Sequence, residues 1–218
     1  MLESLKDQVL AIARQAQRDG MCKHKSGNFS MRERDSSLIV VTPSGVDREN
    51  LKSADMIVMD MDAHVIERSG QLRPSSEVLM HLAIYKSRPD VAAIVHTHSM
   101  YATVCAVLNR PIPAVVYEMQ YLRSSSGKIP VAPYARPGSS ELAANVAASL
   151  SHSDACLLQA HGAVAVDETN IENAYLKSCY IEEIAELYCH ALSIGKTEPA
   201  ALPPEELRSW SYPSEICF

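Results

Sequence analysis

The stretch that most restricts this chain is Val91-Ala92-Ala93-Ile94-Val95, an unbroken apolar run that passes directly into His96-Thr97-His98. Such a run reads as a buried strand. Buried strands belong to layered folds in which helices cover a sheet. Side chains along a strand alternate with a period of two, so His96 and His98 fall on one face.

The rest of the chain supplies those layers. Leu5, Val9, Ile12, Ala13 and Ala16 recur at helical spacing over residues 3–19, and Gly20 is placed to end that helix. Residues 27–42 read as a hairpin turning at Asp35-Ser36-Ser37, and short strands are expected at 56–59 and 64–66. Helices are expected at 76–87, 99–108 and 139–150, and a long one at 170–194. A Pro-rich segment contains extended pieces at 114–117 and 129–132. Strands at 155–159 and 163–166 flank His161-Gly162, and a Pro-rich tail runs from Pro199. Interleaved helices, strands and hairpins imply an α/β class with a mixed sheet, in a single domain over residues 1–218.

Composition excludes several functions. The chain has 218 residues, 47% of them hydrophobic, enough to bury a core without disulfides. Twenty Lys and Arg stand against 26 Asp and Glu, a net charge of −6, so nothing favours nucleic acid or an anionic membrane as partner. No apolar run reaches the ~18 residues needed to span a bilayer. The N-terminal stretch lacks the features of a signal peptide, so a cytoplasmic location is expected. Six cysteines occur without a CxxC pair and read as free, packed thiols.

The histidines carry the chemistry. Two imidazoles side by side at a strand end suit a divalent cation of the zinc type. His161 also follows a buried strand and precedes a glycine that lets the backbone pass close. Three His ligands would leave a fourth position open, the catalytic arrangement. Glu77 falls in the first turn of the helix opened by Pro74-Ser75-Ser76, where the helix dipole favours an acid. It could instead be a base aimed at the metal. His81 lies four residues on and reads by itself as a core-edge histidine. The amides and hydroxyls of Ser75 and Ser76, with the small polar loops Gly27-Asn28 and Ser44-Gly45, could cradle a phosphate without any Lys or Arg. No nucleotide-binding glycine motif is present.

In order and spacing, the blocks GNFSMR (27–32), VTPSGV (41–46), PSSE (74–77), IVHTHS (94–99), IPVAPYARPGS (129–139) and LLQAHG (157–162) resemble the class II sugar-phosphate aldolase family, which includes L-ribulose-5-phosphate 4-epimerase and the adducin head domain. The resemblance implies a class II aldolase-like fold with a central, mostly antiparallel or mixed sheet flanked by helices. It implies one divalent ion per subunit, usually Zn²⁺ with Mn²⁺ or Co²⁺ as alternatives, held by His96, His98 and His161 with Glu77. It implies phosphate binding by Asn28, Ser44, Gly45, Ser75 and Ser76, with Gly27 shaping the first loop. Catalytic roles fall to Glu77 and to Tyr117, the latter supplied by a neighbouring subunit. A homotetramer with sites between subunits is implied, as is a tail, about residues 199–218, that closes over the site with Tyr212.

Glu at position 77 points to the aldolase branch, since the epimerases carry Asp there. The implied activity is reversible cleavage of a ketose 1-phosphate, either L-fuculose 1-phosphate or a 5-deoxy- or 5-methylthio-pentulose 1-phosphate, to dihydroxyacetone phosphate and an aldehyde. The segment 117–128 and Pro137 depart from the fuculose-type pattern and fall in the expected aldehyde pocket. Alternatives on the same scaffold are 4-epimerisation of a pentulose phosphate and dehydration of methylthioribulose 1-phosphate. A non-catalytic adducin-like interaction module would have no need of three histidines and a glutamate in register.

Overall fold

The computed structural model describes residues 2–209. Helix α1 (Glu3–Arg18) forms where Val9, Ile12, Ala13 and Ala16 make one buried stripe. Lys6 is buried beside them because its ammonium is paired, 3.0 Å from Glu3 and 2.5 Å from Glu67. Strands β1 (Asn28–Arg32) and β2 (Ile39–Val41) make the expected hairpin, and β3 (Ile57–Met59) and β4 (Val65–Glu67) make a second one.

Helix α2 spans Val78–Ser87, two residues later than the sequence suggests. The Ser75 hydroxyl accepts the Glu77 amide at 3.2 Å, and the Val78 amide bonds the Ser75 carbonyl at 3.1 Å. This turn postpones the helix. Glu77 is therefore its N-cap residue, with non-helical φ −106 and ψ 16 and no capping hydrogen bond from its side chain. The first-turn reading of Glu77 is thereby corrected.

Next come β5 (Ala93–Thr97), α3 (Met100–Val107), β6 (Ile112–Pro113), β7 (Lys128–Ile129) and β8 (Val131–Ala132). The extended piece expected at 114–117 is displaced: β6 ends at Pro113, and Tyr117–Leu122 is a 3-10 turn. Pro111 and Pro113 lack backbone donors, which keeps the β6–β7 ladder to two residue pairs. Helix α4 (Ser140–Ser149) starts where Ser139 caps the Leu142 amide. Strands β9 (Ala155–Leu158) and β10 (Gly162–Asp167), helix α5 (Ile171–Gly195) and helix α6 (Pro204–Ser209) complete the chain.

Eight strands form one sheet in the order β4-β3-β2-β1-β5-β10-β9-β8. Every pairing in it is antiparallel except β8 with β9. The period-two alternation sorts its side chains between two faces. Ile94, Val164 and Val166 pack with residues of α2 and α4. Ala93 and Val95 pack under α1 and the start of α5, while Ala163 and Ala165 lie under α3 and α5. The fold is thus α/β, a mostly antiparallel sheet flanked by helices. At one end of it, buried Lys177 of α5 is held 2.7 Å from Asp154 and 2.8 Å from Asp167, so its charge is compensated. Among the described residues no helix is long and apolar enough to cross a membrane, and Cys22, Cys105, Cys156, Cys179 and Cys189 are free thiols.

Candidate functional site

The middle of the sheet fixes the first histidine. His96 is paired across the strands with Asn28 on one side and Val164 on the other. His98 follows β5 directly. His161 sits at the tip of the β9–β10 hairpin, after Ala160 in a left-handed conformation (φ 56). The three rings meet edge to face with centroids 4.8–4.9 Å apart.

Two glycines make this approach possible. A Cβ on Gly162 would collide with the Thr97 carbonyl and lie about 3.3–3.4 Å from the His96 and His98 rings. A Cβ on Gly27 would lie 2.6 Å from the His96 carbonyl, and φ 77 there already favours glycine.

Glu77 enters from the other layer. One potential ligand atom from each of Glu77, His96, His98 and His161 lies within 4.8 Å of all the others. His96 donates from Nδ1 to the Ala163 carbonyl at 2.9 Å, which turns its Nε2 lone pair into the cluster. That Nε2 lies 3.1 Å from His98 Nε2 and 3.2 Å from Glu77 Oε2. His161 Nε2 is 3.5 Å from Glu77 Oε1, and Oε1 itself is buried without a hydrogen-bond partner. Burial pushes His98 down to about 3 and His161 down to about 4, so both rings are neutral near pH 7, as ligands must be. Burial alone would raise the Glu77 carboxyl. The neighbouring imidazoles of His96 and His161 and the Asn28 amide outweigh it and hold the group well below the usual range, so Glu77 is ionised. Lone pairs thus converge with too few protons to pair them, and a divalent cation fits this donor set.

Beside the cluster opens a polar cavity of about 120 Å³. Its walls include Gly27, Asn28, Ser44, Gly45, Ser75 and Ser76, the loop residues expected to cradle a phosphate, together with Glu77 and His98. The backbone explains why they meet. Pro43 and Pro74 form an isolated bridge, the Ser75 amide bonds the Thr42 carbonyl at 3.1 Å, and the Ser44 amide bonds the Arg73 carbonyl at 2.9 Å. Phe29, next to Asn28, bonds Thr42 in turn.

The profile of the Class II Aldolase and Adducin N-terminal domain family matches residues 7–189. The chain belongs to this family. It is 34% identical over 209 residues to the 5-deoxy-D-ribulose 1-phosphate aldolase of Bacillus thuringiensis serovar kurstaki, covering 96% of this chain and 94% of that protein. It is 38% identical over 199 residues to the L-fuculose phosphate aldolase of Escherichia coli O6:H1, covering 91% and 88%. A solved L-fuculose 1-phosphate aldolase superposes with a TM-score of 0.88 at 36% identity, covering 94% of this chain and 93% of that one.

One wall of the cavity in this class II aldolase-family chain departs from the expectation of a cradle without Lys or Arg: Lys25 and Arg48 both line it. Arg48 is buried, its guanidinium 5.2 Å from the Phe29 ring centroid, and it donates to the Gly27 carbonyl at 2.8 Å and to the Ser26 carbonyl. It forms no ion pair among the described residues, and Nη1 is without a hydrogen-bond partner. Its only trace in the sequence is an arginine three residues beyond Ser44-Gly45, and nothing local brings that position back to Gly27. His81, expected at the core edge, is fully buried and hydrogen-bonded to Asn28. Tyr117 is half-buried at the start of its 3-10 turn and is not among the residues lining the cavity. The described part of the tail packs elsewhere too: Leu207 is buried with Met119 and Leu122, and the Leu202 amide bonds the Ala114 carbonyl at 2.8 Å. Tyr212 lies outside the described residues.

Proposed function

We propose that this chain is a metal-dependent aldolase that reversibly cleaves a ketose 1-phosphate to dihydroxyacetone phosphate and an aldehyde. The observation that carries this reading is the convergence of Glu77, His96, His98 and His161 beside a cavity walled by three small polar loops. The aldolase relatives support it, and so does Glu, in place of Asp, at position 77.

His96, His98 and His161 would hold the cation, with Glu77 as a fourth donor, and Zn²⁺ is the ion this set suits best, with Mn²⁺ or Co²⁺ as alternatives. Bound there, the cation would supply Lewis acidity to the carbonyl oxygen of the substrate, where negative charge develops as the C3–C4 bond breaks. The phosphate end would be held in the cavity by Asn28, Ser44, Gly45, Ser75 and Ser76, through hydroxyls and the backbone amides other than those of Ser44 and Ser75, which the Arg73 and Thr42 carbonyls already engage, and Arg48 adds positive potential from beneath the Gly27 loop. On cleavage the electron pair of the broken bond stays with C3. In condensation the ionised Glu77 carboxylate takes the proton from C3; in cleavage it returns one there, drawn from solvent, while the proton released from O4 leaves to solvent by way of Tyr117, so that none is gained or lost overall. Tyr117 handles the proton on O4. We read it as acting on a neighbouring subunit of a cytoplasmic homotetramer with shared sites, a reading with which its absence from the lining of its own chain's cavity accords.

The test is a cleavage assay on L-fuculose 1-phosphate, 5-deoxyribulose 1-phosphate and 5-methylthioribulose 1-phosphate, following dihydroxyacetone phosphate with a coupled reductase. Release from at least one, abolished by a chelator and restored by Zn²⁺, is expected. No release from any of them, or release indifferent to the chelator, overturns the reading.

A further inference from the structure

Glu77, His81 and Tyr85 stand four residues apart on the sheet-facing stripe of α2 and its N-cap, and Asn28 and Ser30 stand two apart on β1. Four helical residues advance about 6 Å and two strand residues about 6.6 Å, so the two rows keep step. Their side chains interdigitate into a single hydrogen-bonded row. Asn28 Nδ2 donates to Glu77 Oε2 at 2.9 Å, and Asn28 Oδ1 is 2.5 Å from His81 Nε2. His81 Nδ1 is 2.6 Å from Ser30 Oγ, which is 2.8 Å from the Tyr85 hydroxyl. All five residues are buried.

The placing of Asn28 dictates every proton in this row. Asn28 presents its amide nitrogen to Glu77 Oε2 and its oxygen to His81. His81 then carries hydrogen on Nε2 and accepts from Ser30 on Nδ1, and Ser30 accepts from Tyr85. Each donor points toward Glu77. The opposite orientation of Asn28 would set its oxygen against a carboxylate oxygen at the same 2.9 Å. Burial pushes His81 down to about 3 and pushes the Tyr85 hydroxyl up, so the row keeps its protons near neutral pH.

We propose that His81 is a positioning residue: through Asn28 it ties down Oε2 of Glu77 and leaves Oε1 as the oxygen that exchanges a proton with the substrate. Oε1 is the carboxylate oxygen without a hydrogen-bond partner. The proposal rests on the reading of Glu77 as the proton-handling group of an aldolase. It gives His81 a task beyond filling the core.

The test compares His81→Met, which fills the space without a donor, with His81→Gln, whose amide nitrogen can reach the Asn28 oxygen. In the zinc-loaded enzyme His81→Met should lower kcat about 10–100-fold, the usual scale for an outer-shell partner, with a far smaller change in KM and unchanged zinc content. His81→Gln should recover most of the loss. Equal kcat in both variants and wild type overturns the proposal. So does a loss in which kcat, KM and zinc content fall away together and glutamine restores nothing, the mark of a merely structural role. A second readout needs no variant and no turnover. In the full chain labelled with ¹⁵N-histidine and freed of metal, His81 should appear as the neutral Nε2–H tautomer from pH 6 to 8. The Nδ1–H tautomer overturns the proposal even if the variants fail to fold. Should the wild type cleave no ketose phosphate while His81 is the Nε2–H tautomer, the proposed function falls and the hydrogen-bonded row stands.

Discussion

Arg48 shows how a residue can be evident in space and nearly silent in sequence. Burial pulls its guanidinium below the ordinary value, yet an arginine stays charged throughout the working range. A buried charge with no carboxylate at ion-pair distance among the described residues, its nearest acidic influence being Asp47, suits an anionic ligand beside a polar cavity. Arg48→Met should raise KM for the phosphorylated ketose about tenfold, on the order of 1.4 kcal/mol, and move kcat much less, as steady-state kinetics would read. The histidines, by contrast, were legible: a strand ending in His-Thr-His and a second strand ending in His-Gly need only a period of two and a sheet to meet. His81 was half legible, since its spacing from Glu77 is in the sequence but the Asn28 that joins them is not. Its buried, neutral state has a pH signature. An unfolded histidine titrates near 6.5 and the folded one near 3, so the unfolded chain binds the extra proton in that window. Stability is therefore full above about pH 6.5 and is lost as pH falls, by about 1–2 kcal/mol for His81 between pH 6.5 and 5. Urea unfolding of metal-free protein should show a shallower loss in His81→Gln. Parallel curves for the two proteins would contradict it.

Among the elements, the legible ones were those whose burial pattern is complete in itself. The run at 91–95 became β5, and the helices expected at 3–19, 139–150 and 170–194 lie within one residue of α1, α4 and α5 at either end. What failed was decided by single hydrogen bonds or by chain-distant pairing. Ser75 delays α2, and Pro111 and Pro113 restrict where the Pro-rich segment can pair. The insertion of β10 between β5 and β9 is likewise invisible to local pattern, although it brings His161 to His96. Gly162 is the point on which that meeting turns. Gly162→Ala would drive a methyl into the Thr97 carbonyl, a backbone atom that cannot swing aside as a side chain can. The two strands must part to admit it. A loss of about 1–3 kcal/mol in urea unfolding is expected, with a lower zinc content after equilibration with the metal. Native stability with full zinc loading would show that the hairpin yields elsewhere.

For the whole molecule, Tyr117 bears on assembly. Tyr117 does not line the cavity of its own chain, and a shared site makes a sharp forecast. Glu77→Gln and Tyr117→Phe should each be nearly inactive, yet co-expressed in one cell they should yield mixed oligomers with a measurable fraction of wild-type turnover, because some sites would combine an intact Glu77 with an intact Tyr117. Activity no greater than the sum of the two alone would place Tyr117 in its own subunit's site or outside catalysis. A last consequence follows from where the four convergent donors are anchored. One imidazole belongs to the sheet and two to the ends of its strands, and the carboxylate belongs to the turn that launches α2. An ion among them would rivet one layer to the other at a single point. Stripping it should leave the β-sheet amides as slow to exchange with deuterium as before, while those of the first turns of α2 quicken, so that the loosening is confined to one seam of the protein.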